Sequence, residues 1–169
     1  MLGNGGRLSQ LFDQLRSARS EDLASQENNQ QRLLTEEEFS AVMVKDFLRS
    51  EFINASLDDD GDVIAILDDG SRACITVDSN RKMLKFMMVY AISEDAPLEQ
   101  KFEMVNRMND QLVFTRFSVP ERDRSALMCD VFLPFEGGLM ATQLLKSFRY
   151  FIKVTRGAVA SQVSDEMRG

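Results

Sequence analysis

Carboxylates are the side chains most plentiful for chemistry in this sequence. The run Asp58-Asp59-Asp60-Gly61-Asp62 has the oxygen density of a calcium loop. With Gly61 at the sixth loop position, Ser56 falls at the first and Leu67 at the twelfth. Such a loop needs an oxygen ligand, normally Asp, at the first position and a bidentate Glu at the twelfth, and Leu67 cannot coordinate a cation. The run therefore reads as a solvated hairpin turn. Glu36-Glu37-Glu38 could pair as acid and base, but three carboxylates at a helix start are accounted for by the positive end of its dipole. Asp130 is more unusual, because it sits inside an apolar, strand-like run. Cys129 and Val131 point to one face, so Asp130 is expected on the other, facing outward. Gly3, Gly5 and Gly6 have no strand before them and no Gly-Lys-Ser/Thr after them, so they do not form a phosphate loop.

The absence of histidine narrows the field further. It removes imidazole acid–base catalysis, Ser-His and Cys-His nucleophiles, and most zinc and haem ligation. Cys74 and Cys129 are the only cysteines. Each lies in an apolar, strand-like run of a chain without a secretory leader pattern, so both read as reduced core residues. No catalytic residue, metal or cofactor is expected. A carboxylate-based enzyme or small-ligand sensor is the alternative to a non-catalytic protein.

A hydrophobic content of 44% with 28% charged residues fits one globular domain and argues against global disorder. No apolar run approaches the roughly 20 residues that cross a bilayer, and Met1–Arg7 has no signal-peptide pattern, so a cytoplasmic location is expected. The net charge of −7 disfavours nucleic acid and anionic membrane as partners. That charge is uneven. Residues 35–137 carry 11 basic and 21 acidic side chains, net −10, whereas 138–169 carry 5 and 2, net +3.

Three regions follow. In residues 1–34, Leu8, Leu11, Phe12 and Leu15 mark one face of a short helix, and the polar stretch Ser20–Gln31 reads as a tether. So short a helix is marginal alone, so it either docks on the domain or a partner, or frays. The domain spans 35–162, and 163–169 form a tail. Thr35 and Glu38 make a capping box, with Leu34 against Phe39 as its staple, and Phe39, Val42, Met43 and Phe47 share a helical face to about Ser50. Asp-Gly turns then separate strands Val63–Leu67, Arg72–Val77 and Lys82–Ile92. A helix from Pro97 carries Leu98, Phe102, Val105, Met108 and Leu112, and strands Val113–Val119 and Ser125–Leu133 follow. Gly137-Gly138 reads as a flexible approach to a last helix, Gly138–Gln162. Its apolar face carries Met140, Leu144, Phe148, Phe151, Ile152 and Val159, with Gly157 weakening its end. The order is α-β-β-β-α-β-β-α, an α+β fold whose antiparallel sheet carries helices mainly on one face.

Two surfaces stand out. The last helix has Lys146, Arg149, Lys153 and Arg156 at i, i+3, i+7 and i+10. This basic stripe is expected to pair with the acidic body, within the chain or across a dimer, with an acidic protein partner next and lipid or nucleic acid last. The sheet is the second surface. Met83, Met87, Val89, Phe114, Met128 and Phe132 all fall on strand faces opposite the main apolar rows. A face left to water should be polar. Its thioethers and rings point to a subunit or client interface, or to coverage by the N-terminal segment or a loop.

The residues from Phe86 through Asn106-Arg107-Met108-Asn109, Phe114–Phe117, Leu127–Leu133 and Glu136-Gly137-Gly138 before a long helix resemble the YbjN family of bacterial sensory transduction regulators. That family is similar in fold to type III secretion chaperones. The resemblance covers about residues 35–160. It implies a small, acidic, dimeric, non-catalytic protein without a cofactor, binding a protein client through its sheet face or a strand edge.

Overall fold

A computed structural model describes residues 32–164 and 167. The expected N-terminal helix and tether lie outside the described residues. The elements are β1 (Leu33–Leu34), α1 (Ala41–Ser50), β2 (Asn54–Leu57), β3 (Val63–Ile66), β4 (Arg72–Asp78), β5 (Met83–Ala91), α2 (Leu98–Gln111), β6 (Arg116–Ser118), β7 (Ala126–Pro134), β8 (Leu139–Met140) and α3 (Ala141–Gln162). Six strands form one antiparallel sheet in the order β2-β3-β4-β5-β7-β6, and β1 pairs with β8 in a two-stranded ribbon. The architecture is α+β, as expected from the pattern of elements.

Strands β2 to β5 form a meander because each junction carries its own turn chemistry. At the first, the Asp58 carboxylate accepts from the Asp60 and Asp62 N–H groups at 3.1 and 2.9 Å, and Gly61 takes the positive φ of +85°. Asp69 accepts from Ser71 in the same way at the next. α2 then carries the chain from β5 to the far edge, where β6 starts and β7 returns beside β5.

One face of the sheet holds the core. Leu84, Phe86 and Met88 of β5 and Leu127, Cys129 and Val131 of β7 are buried there. The Phe86 ring meets Phe148 of α3 edge-on, with centroids 5.5 Å apart and an interplanar angle of 84°, and Phe151 lies beside them. α1 buries Val44, Phe47 and Leu48, packing on β2, β3 and β4, where Ala55, Ala65 and Ala73 leave room for a close helix. The buried Lys101 of α2 donates to the carbonyls of Glu94 at 3.2 Å and Arg124 at 2.8 Å, so it ties the loops at both ends of the α2–β6 crossover.

Several details differ from the pattern-based expectation. The Thr35–Glu38 box forms, with the Glu38 carboxylate accepting the Thr35 N–H at 2.7 Å, but it caps a single 3-10 turn. α1 starts later, at a second cap where the Ser40 hydroxyl accepts from Met43 N–H at 3.1 Å. β2 is an additional strand, concealed by its polar Asn54 and Ser56. The expected strand at 113–119 contracts to Arg116–Ser118, and α3 begins at Ala141 because Leu139–Met140 pairs with β1 instead. Gly137 and Gly138 are not a loose approach to that helix. Gly138 has φ +98°, and a Cβ there would stand 2.8 Å from the Leu34 carbonyl oxygen, so only glycine lets the ribbon close.

Candidate functional site

Among the described residues, the opposite face of the sheet carries no helix. Register places Ile64, Cys74, Met87, Asp130 and Arg116 in one row across five strands. A neighbouring row runs Thr76, Lys85 and Phe132, and another pairs Val89, Met128 and Ser118. Alternation along β5 and β7 thus puts Met83, Met87, Val89, Met128 and Phe132 together on the open side. Val89 is 56% exposed and Phe132 46%, whereas Met83, Met87 and Met128 are half-buried among their neighbours.

Phe114 does not join them. It lies ahead of β6, outside the ladder, so strand alternation does not govern its direction. Its ring packs edge-on against Tyr150 of α3, with centroids 5.0 Å apart. It stands at the sheet margin, between the open face and the outer side of α3. Cys74 also departs from expectation. It lies half-buried on the open face, while Cys129 is in the core, and both are free thiols. Burial, with the Asp62 carboxylate second, pushes the Cys74 thiol up to about 11; burial raises Cys129 to about 12.

Asp130 faces the open side, as the alternation of its strand requires, yet it is only 1% exposed. Arg116 covers it with a two-pronged bond, Nε to Oδ1 at 2.9 Å and Nη2 to Oδ2 at 2.7 Å. Lys85 Nζ adds a longer contact at 3.9 Å. The guanidinium also lies 5.6 Å from the Phe132 ring centroid, and the carboxylate raises the Arg116 pKa above its ordinary value. The one carboxylate at the centre of the row is therefore already paired. What the face offers outward is thioether, methyl and ring, with the Arg116 guanidinium edge, the Lys85 ammonium and the Thr76 hydroxyl among them.

Both edges of the sheet are blunted from within. At β2, Arg49 Nε donates to the Ala55 carbonyl at 2.8 Å. At β6, the Asn109 side-chain amide takes both main-chain groups of Phe117, donating to its carbonyl at 3.0 Å and accepting its N–H at 2.8 Å. Asn109 thus occupies the position that an added strand would use. This is the structural role of the second asparagine in the Asn106–Asn109 motif.

The basic stripe divides. Arg156 pairs with Asp69 and donates to the Ser71 hydroxyl at 3.0 Å through Nη2, so its charge is paired within the chain, while its buried Nε–H has no partner among the described residues. Lys146, Arg149 and Lys153 are exposed on the outer side of α3.

A six-stranded antiparallel sheet with three helices on one face defines a protein of the α+β class. Residues 40–160 match the model of the YbjN family, described as "Putative bacterial sensory transduction regulator". The chain belongs to the YbjN family. Solved structures agree on the fold. YbjN from E. coli superposes with a TM-score of 0.66 at 10% identity, over 79% of this chain and 97% of that one. A chain of the HopA1-SchA chaperone-effector complex gives 0.53 at 18% identity, over 70% and 91%. An uncharacterized protein from Methanothermobacter thermautotrophicus gives 0.52 at 14%, over 72% and 95%. No curated protein matches the chain. Among the described residues, no helix is long and apolar enough to cross a membrane.

Proposed function

We propose that this chain is a non-catalytic, cytoplasmic protein-binding module, chaperone-like or regulatory, that pairs through the open face of its sheet. The pairing surface is built on Met87, Val89, Met128 and Phe132, and its occupant is a second copy of the chain or a protein client. The carrying observation is the composition of that face: exposed apolar side chains surround a carboxylate that Arg116 has already neutralised. Covering such a surface removes apolar area from water while Asp130 stays paired with Arg116 and Lys85, where an unpaired buried carboxylate would be costly. Methionines adapt to varied partners, and an arginine held between a carboxylate and a ring is a frequent anchor in interfaces. The fold shared with a chain of a chaperone–effector complex supports the same reading. Strand addition is the weaker route, since Asn109 and Arg49 occupy groups at the two edges.

Solution molar mass tests this directly. The wild-type chain of 19.2 kDa is expected to run at about twice that mass. Met87→Glu combined with Phe132→Glu should return it to the monomer while circular dichroism is unchanged. A wild-type chain that stays monomeric at the highest attainable concentration, or a double variant that remains dimeric, overturns the pairing.

A further inference from the structure

The outer side of α3 faces away from the open sheet face and has features of its own. Lys146, Arg149 and Lys153 lie on it in a chain whose body is strongly acidic. Among the described ion pairs, only Arg156 of the four-residue stripe has a carboxylate partner. The stripe is flanked by two grooves that share Arg149. One, of about 520 Å³, is floored by Phe114 and the half-exposed Tyr150, between Lys146 and Lys153. The other, of about 600 Å³, has a mixed wall, with Phe52, Ile66 and Ile152 beside Glu51, Asp68 and Arg156.

Phe52 is the independent observation. It ends α1 at the C′ position with φ +61°, in a motif where Ile53 N–H bonds Leu48 O at 2.9 Å and Phe52 N–H bonds Arg49 O at 3.1 Å. This position favours glycine, because a side chain in the left-handed region crowds its own backbone. A phenylalanine there is strained, and with 84% of its surface exposed it gains almost nothing from packing. An aromatic ring held at a local cost and presented to solvent beside a groove of mixed polar and apolar lining is a recognition feature rather than a packing one.

We propose that the outer side of α3 is a docking surface for an acidic, apolar-studded segment of a partner polypeptide. Its carboxylates would meet Lys146, Arg149 and Lys153, and its apolar side chains would enter the grooves beside Phe114–Tyr150 and Phe52. Charge complementarity selects this occupant. A short acidic segment can remain within a Debye length of the stripe, whereas a phosphate polymer or anionic bilayer runs on over the −10 body and is repelled. This surface adjoins the open sheet face only at Phe114, and because its other residues are distinct either can fail without the other.

The test uses a fluorescein-labelled peptide of about 16 residues with Leu and Phe at helical spacing between flanking Glu residues, and its Lys-for-Glu counterpart as control. Fluorescence anisotropy with the full chain should show saturable binding of the acidic peptide and none of the basic one. Lys146→Glu with Lys153→Glu should weaken binding about tenfold or more, since each exposed ion pair contributes a few-fold and reversal adds repulsion. Phe52→Gly guards against misfolding as an explanation: it should raise the thermal midpoint by about 2–4 °C and still weaken the peptide several-fold. Met87→Glu with Phe132→Glu should leave peptide binding intact. Failure of the acidic peptide to bind, equal binding by both peptides, or a Phe52→Gly chain that binds unchanged overturns the proposal. So does tighter binding of single-stranded RNA or anionic vesicles. A salt-sensitive self-association abolished by the same lysine reversals would assign the stripe to the Asp58–Asp62 turn of a second copy, and would overturn it as well.

Discussion

The two faces of the sheet are built from the same strands, one residue out of step, and they solve opposite problems. On the core face, Phe86 meets Phe148 and Phe151 in a sealed cluster, and Cys129 is simply a small apolar residue. On the open face, Met87 and Phe132 surround an Asp130 that is as buried as a core residue, although no helix among the described residues covers it. There the carboxylate is covered chiefly by its two-pronged bond to Arg116, with Lys85 at 3.9 Å. Helix packing excludes water from one face through apolar volume. The other face excludes water from one carboxylate and leaves its apolar side chains accessible.

The sharpest way to break this contrast is to truncate the same residue type on each face. Phe148→Ala should cost about 3–5 kcal/mol in urea unfolding, from lost transfer energy and the cavity left behind. Phe132→Ala in monomeric protein should cost less than about 1 kcal/mol, because the ring is half exposed and has no facing layer. Similar losses at both positions would mean that the open face is part of the core. Arg116→Ala comes next in size. It leaves Asp130 buried with only the distant Lys85, and about 1–2 kcal/mol is expected, below the usual loss for a broken buried pair because the guanidinium is itself largely exposed. Asn109→Ala should cost about 1 kcal/mol through the unpaired main chain of Phe117. It should also promote concentration-dependent association by freeing the β6 edge, which light scattering would detect.

Periodicity made the two faces legible, and turn chemistry placed the meander. The alternation in Met83–Ala91 and Ala126–Pro134 was enough to predict that Met87, Val89, Met128 and Phe132 share a surface, because a ladder leaves no freedom once its register is set. Phe114 escaped that logic, since alternation was extended through residues that never enter the ladder. β2 escaped because an edge strand facing water on one side can be as polar as a loop. That Asp130 would face outward was readable; that it would be buried was not. Its burial depends on Arg116, which lies 14 positions away and meets it only because β6 and β7 pair. The blunted edges were equally hidden. An asparagine whose amide imitates a strand has no period, and only a helix fixed beside β6 brings it to Phe117. Phe52 left one trace in sequence, an aromatic just after a helix where glycine is favoured.

The smallest effect expected is also the most direct report on whether the open face is covered. Cys74 and Cys129 sit on opposite sides of the sheet, and each has a raised thiol pKa, about 11 and about 12. Only the thiolate reacts appreciably with iodoacetamide, so Cys74 alkylation should be slow at pH 8 and should rise about tenfold per pH unit up to pH 10, while the thiol stays mostly protonated. Cys129 should remain unmodified until the chain unfolds. Because Cys74 lies in the same row as Met87 and Asp130, a partner seated on that row must shield it. Raising the protein concentration should therefore slow Cys74 alkylation in the wild type, but not in the variant carrying Met87→Glu and Phe132→Glu. A rate independent of concentration in both would leave the open face uncovered at those concentrations, and would separate a surface that is merely apolar from one that is occupied.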